Sequence, residues 1–156
     1  PAGAKGVCEG GGLDMVVGMI RRAEEHNGPH AQGALEACVR CLAQSTRAHA
    51  GCSAQLARPE CGAVGALLGL LRSGMGDSVV GNAALALQVI ANDEGNIAAL
   101  GAAGAVPALL EVVHHRRGVA QKNAGLALAR LVKQERYMKQ LKALHGLEIL
   151  NAYLKM

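Results

Sequence analysis

Eight basic residues, Arg116, Arg117, Lys122, Arg130, Lys133, Arg136, Lys139 and Lys142, fall in one stretch that holds a single carboxylate, Glu135. A strip of this kind attracts an acidic partner segment and raises its rate of encounter. The plain alternative is a solvated helix surface, where Lys and Arg are common. Nucleic acid fits poorly: the net charge is only +4, and Tyr137 alone lies among the basic residues, too little aromatic surface to stack on successive bases. Cys38 and Cys41 form a C-x-x-C, with Cys52 and Cys61 farther on. Zinc needs ligands converging from a turn or from paired elements. This pair sits inside a stretch that reads as helix, the later spacings match no common zinc module, and cysteine is an ordinary small core residue. No metal is therefore expected. His114-His115 lies in a turn with no nucleophile or carboxylate suggested beside it. The glycine runs at Gly10-Gly11-Gly12 and Gly101 to Gly104 follow no strand and precede no Lys-Ser/Thr, so they read as helix stops. Neither an enzyme activity nor a cofactor is expected.

The elements that must position these residues are helices. About half of the 156 residues are apolar, yet there is no Phe, no Trp and only two Tyr, Tyr137 and Tyr153. Ala and Leu favour helices, and small side chains let helices approach closely, whereas sheets draw on aromatic and β-branched residues. The fold class is all-α. Uncharged stretches such as Cys61 to Leu71 are broken by glycines and fall short of the roughly 20 residues that span a bilayer. No helix combines a basic face with exposed bulky hydrophobes, so no membrane contact is expected. No signal peptide is visible, and the odd count of five cysteines does not suggest a disulfide framework. A reducing, cytoplasmic setting is the expectation. The chain starts at Pro1 without Met and is expected to be a fragment of a longer one.

Two series of residues repeat. Gly62, Gly104 and Gly146 stand 42 residues apart, each ahead of an aliphatic run, and Gly81-Asn82-Ala83-Ala84-Leu85-Ala86-Leu87 recurs 41 residues later as Lys122-Asn123-Ala124-Gly125-Leu126-Ala127-Leu128. This period marks a helical solenoid, in which each unit buries its apolar face against its neighbours. Punctuation then gives the helices. Gly104 ends a short helix, and Pro107 sits in the first turn of the next, where its missing N–H costs nothing. His114 to Gly118 form a turn, and a longer helix runs from about Val119 to Lys133. The preceding unit reads as a helix near Ala63–Leu71, a turn at Ser73-Gly74-Met75-Gly76, and a helix near Ser78–Asn92 with Asp77 or Ser78 as N-cap. A more divergent first unit reads as Leu13–Glu25, with Val16, Val17, Met19 and Ile20 inward, a turn at His26-Asn27-Gly28-Pro29, and a helix over His30–Gln44. The longer gap from Gly12 to Gly62 is assigned to an extended loop around Ala57-Arg58-Pro59-Glu60. Glu135 to Met156 supplies two more helices. The domain is thus single, with units at about 1–46, 47–94 and 95–134 and a partial unit at 135–156.

Gly104-Ala105-Val106-Pro107-Ala108-Leu109-Leu110 at the start of a second helix, paired with Asn82-Ala83-Ala84-Leu85-Ala86-Leu87 and Asn123-Ala124-Gly125-Leu126-Ala127-Leu128 in third helices, resembles the armadillo repeat. The resemblance covers the chain, strongly from residue 62 onward. It implies a right-handed α-solenoid of about three repeats plus partial terminal units, with third helices lining a concave groove that holds extended peptides or partner helices. Peptide-binding members such as the importin alphas carry a Trp and, four residues later, an Asn on the third helix. The matching positions here are Ala37, Leu85 and Leu126 for Trp, and Cys41, Val89 and Arg130 for Asn. None matches, so a nuclear-localisation peptide is not the expected ligand.

The resemblance therefore implies a non-enzymatic scaffold that binds a protein partner, an acidic peptide or helix, on a groove lined by Cys41, Asn82, Val89, Asn92, Asn123, Arg130 and Lys133. Neighbouring repeats of a longer chain are expected as further contacts. The alternative is a packing segment of a large co-chaperone, ciliary or cytoskeletal assembly, with no free groove.

Overall fold

The computed structural model describes residues 2–25, 29–72 and 75–154, and among them there is no strand. His26, Asn27 and Gly28 of one expected turn, and Ser73 and Gly74 of the next, lie outside the described residues, as does Met156. Among the described residues eleven α-helices follow one another: α1 (Ala2–Glu9), α2 (Gly12–Glu25), α3 (Pro29–Ala48), α4 (Ala50–Leu56), α5 (Ala63–Arg72), α6 (Asp77–Ile90), α7 (Ile97–Ala102), α8 (Ala105–His115), α9 (Gly118–Leu131), α10 (Glu135–Ala143) and α11 (Gly146–Leu154). Short 3-10 turns at Pro59–Cys61 and Glu94–Asn96 lie between α4 and α5 and ahead of α7.

The helices stack in layers. The long third helices α3, α6 and α9 pack side by side, and the middle helices α2, α5, α8 and α11 form the layer beneath them. α6 and α9 pack against each other and are rich in small buried residues, Ala83, Ala84 and Ala86 on the first and Ala120, Ala124 and Ala127 on the second. Leucines such as Leu67, Leu70, Leu87 and Leu109 fill the space between layers without any solvent exposure. Each contributes about 1.5–3 kcal/mol on burial, which is how a core with no Phe or Trp holds together.

Glycine sets the corner between short and middle helix. Gly62 and Gly104 have φ of 63° and 82°, a left-handed conformation that L side chains resist. The segments Glu94–Ala102 and Ala105–His115 meet there at 86°. The third member of the glycine series departs from this pattern. His145, not Gly146, takes the positive φ (55°), while Gly146 opens α11 and lies against Leu141.

Four other expectations are corrected. The longer gap between Gly12 and Gly62 is not an extended loop: α3 runs on to Ala48, and α4 and a 3-10 turn take up the rest. Neither Asp77 nor Ser78 caps α6; Gly76 is the N-cap residue, with no side-chain cap bond. Their side chains are used between repeats instead, Asp77 with Arg116 at 2.8 Å and Ser78 donating to Glu36 at 2.6 Å. Met19 is 40% exposed, because the inward stripe of α2 is Leu13, Val17 and Ile20. Finally, part of the basic stretch is structural. Arg116 also donates to the Met75 carbonyl, Arg117 to those of His114 and Arg116, Lys139 pairs with Glu135, and Arg136 lies 4.4 Å from the centre of the Tyr137 ring.

Candidate partner-binding face

The outer face of the third-helix layer carries one side-chain stripe per helix at i, i+4 spacing, as helix geometry requires. Ala37 and Cys41 on α3 are exposed. Asn82, Leu85 and Val89 on α6 are half-buried, and Asn92 just beyond its end is exposed. Lys122, Leu126 and Arg130 on α9 are exposed, followed by exposed Lys133. Six of the seven residues expected to line the groove thus keep some exposure to solvent. The seventh, Asn123, does not: it is buried and its amide donates to the Gly81 carbonyl at 3.2 Å, so it joins α9 to α6. Its register mate Asn82 donates within its own helix, to Ser78 O at 2.9 Å.

Chemically the face is graded. Its α3 and α6 steps offer small or apolar side chains, and its α9 step offers cations. Among the described residues, Lys122, Arg130 and Lys133 have no carboxylate within ion-pairing distance. A pocket of about 230 Å³ lies where the ends of α6 and α9 meet, lined by Ala91, Asn92, Glu94, Ile97, Arg130, Lys133 and Gln134. Asn92 is oriented there by Gln88, whose amide donates to Asn92 Oδ1 at 3.3 Å. No motif in the sequence marks Glu94; it enters because the 3-10 turn after α6 folds back beside α9.

The other sequence candidates do not converge. Cys38 points into the core and Cys41 outward, three residues apart on one helix. Burial, and then the neighbouring Cys41, pushes the Cys38 thiol up. His114 and His115 are exposed, their rings 4.3 Å apart, with His115 Nε2 3.1 Å from Glu111. Buried polar groups elsewhere are spent on the backbone. Gln121 donates to Val113 O at 2.8 Å, and Asn96 to Ile90 O at 3.1 Å.

No protein-family profile matches the chain, and no curated protein matches it. Solved structures do. A designed armadillo repeat protein is 26% identical with a TM-score of 0.72, over 88% of this chain and 55% of its own. Another, a computational design for modular peptide recognition, is 21% identical with a TM-score of 0.71, over 94% and 58%. A third, solved in complex with peptide (KR)4, is 19% identical with a TM-score of 0.69, over 94% and 58%. The chain spans little more than half the length of these structures. In fold, with its three-helix units and stacked third helices, the chain is an armadillo-type repeat solenoid.

Proposed function

We propose that the chain is a non-enzymatic protein-interaction scaffold that holds an extended, acidic partner segment along the outer face of α3, α6 and α9. The observation that carries this reading is the set of cations Lys122, Arg130 and Lys133, without a carboxylate partner among the described residues, beside the apolar steps Leu85, Val89 and Leu126. A carboxylate near Arg130 and Lys133 gains charge-assisted hydrogen bonds, while apolar side chains of the same segment cover the leucines and the valine. The designed neighbour solved with peptide (KR)4 supports the general mode, a peptide held by an armadillo stack. The cations of the present face suit a peptide of opposite charge. All five cysteines are thiols, which suits the reducing, cytoplasmic setting that belongs to this proposal.

Photo-crosslinking residues placed singly at Val89, Leu126 and, on the opposite layer, Glu111 test the reading. Adducts with a captured partner are expected from Val89 and Leu126 and not from Glu111.

A second reading rests on the ends of the stack. Met15 and Met19 on α2 are 64% and 40% exposed, and Leu144 and Leu147 are each 39% exposed. Apolar ends are covered by further repeats or by fixed subunits in a large assembly. That reading expects crosslinks from Met15 and Leu147 and none from the third-helix face.

A further inference from the structure

Cys8 lies near the end of α1, His49 between α3 and α4, and Cys52 in the first turn of α4. Folding brings one ligand atom of each within 4.8 Å of the others. We propose that Cys8, His49 and Cys52 form a binding site for one thiophilic divalent cation, zinc in the first instance, that fastens α1 to the corner between α3 and α4.

Two thiolates and an imidazole are donors that zinc takes in preference to harder cations. Zinc bonds of about 2.3 Å to sulfur and about 2.0 Å to nitrogen hold tetrahedral donors about 3.5–3.8 Å apart. The three groups therefore need to close in by only about 1 Å. Cys8 and Cys52 are buried, and His49 is half-buried, so the site is apolar on one side and open on the other. Gln55 Oε1, 3.5 Å from Cys8 Sγ, stands ready at the rim for the fourth position.

The local backbone leaves room for the site. A Cβ at Gly51 would lie 3.0 Å from His49 Nδ1 and 3.6 Å from Cys8 Sγ, between two of the donors. The Gly51 amide donates to His49 Nδ1 at 3.1 Å, so the imidazole caps α4 and its orientation is held beside the two sulfurs. Burial, together with a hydrogen bond to Cys8, pushes the Cys52 thiol up to about 12. Zinc binding thus releases the protons of both thiols to solvent. Cys38, Cys41 and Cys61 take no part in this cluster, so the C-x-x-C motif is not its signature.

The test uses the full chain, reduced and stripped of metal, with Zn²⁺ alone as ligand. Wild type is expected to retain one Zn²⁺ per chain after dialysis. At free Zn²⁺ of about 100 times Kd, Tm is expected to rise by about 5–10 °C. Co²⁺ in place of Zn²⁺ is expected to give a thiolate-to-metal charge-transfer band. His49→Ala and Gly51→Ala, both on the open side, are expected to keep the helical circular-dichroism spectrum and lose the Tm rise. Cys8→Ser/Cys52→Ser is expected to lose the cobalt band, and Cys41→Ser to keep it. Wild type that retains no Zn²⁺, or a cobalt band that survives Cys8→Ser/Cys52→Ser, overturns the proposal.

Discussion

The side-chain amide of Asn123 donates to the main-chain carbonyl of Gly81 across 3.2 Å, joining two residues 42 positions apart. That separation matches the spacing of the glycine series, so a single side-chain bond ties one repeat to the next. Asn123→Ala removes the bond and leaves a small void between α6 and α9. A loss of about 1–2 kcal/mol is expected. Asn123→Asp puts an unpaired carboxylate beside a carbonyl oxygen and is expected to cost more. Urea denaturation of the two variants checks both the size and the order.

Two glycines, one at the corner ahead of α8 and one within α5, should respond in opposite directions to the same substitution. Gly104 has φ 82°, so Gly104→Ala is expected to destabilise by about 1 kcal/mol or more. Gly65 is exposed within α5, and a Cβ there meets nothing within 4 Å. Gly65→Ala is expected to stabilise by about 0.5–1 kcal/mol. A fall in Tm for the first variant and a rise for the second are the expected pair of results.

Tyr137 anchors α10 over α7. Its ring is buried, its hydroxyl lies 3.5 Å from the Ala98 carbonyl, and a Cβ on Gly101 would overlap the ring. Gly101→Ala is expected to displace the ring at a cost of about 1–3 kcal/mol. In a Tyr137→Leu background the alanine should cost clearly less, because the clash is gone. Denaturation of the four chains of this cycle measures the coupling.

Thiol chemistry offers a check on the third-helix face. Cys41 is exposed there, whereas burial pushes the Cys38 and Cys61 thiols up, aided at Cys38 by Cys41 and at Cys61 by a hydrogen bond to Asp14. Raised thiols hold less thiolate at neutral pH and react slowly. Iodoacetamide followed by mass spectrometry is expected to mark Cys41 well before Cys38 and Cys61. A bound partner is expected to slow the Cys41 reaction.

The stack was legible in the sequence because its signals are local and repeated. Gly104 ends a helix, Pro107 starts one, and Asn82 and Asn123 stand in register. What escaped depends on contacts between distant residues. Asn123 could be placed on α9 but not aimed, since whether it faces solvent or α6 depends on how closely the alanine-rich helices approach. Asp77 reads as a cap until Arg116, from the next repeat, takes its carboxylate. The cluster of Cys8, His49 and Cys52 has no sequence spacing of its own. It exists only once α1 folds back on α4, while the visible C-x-x-C splits between core and solvent. Likewise Glu94 joins the pocket through a turn.

The central claim, an acidic segment held at Arg130 and Lys133, is tested most directly by titrating the chain with labelled acidic peptide (DE)4, with (KR)4 as the comparison. Wild type is expected to bind (DE)4 and not (KR)4, with affinity that falls as salt rises. Arg130→Glu/Lys133→Glu is expected to weaken (DE)4 by about tenfold or more, on the scale of losing two charge-assisted contacts. Lys139→Glu/Lys142→Glu makes the same change in net charge on α10, away from the face, and is expected to leave binding within about twofold. Equal losses in the two double variants, or no loss at Arg130 and Lys133, would contradict the account.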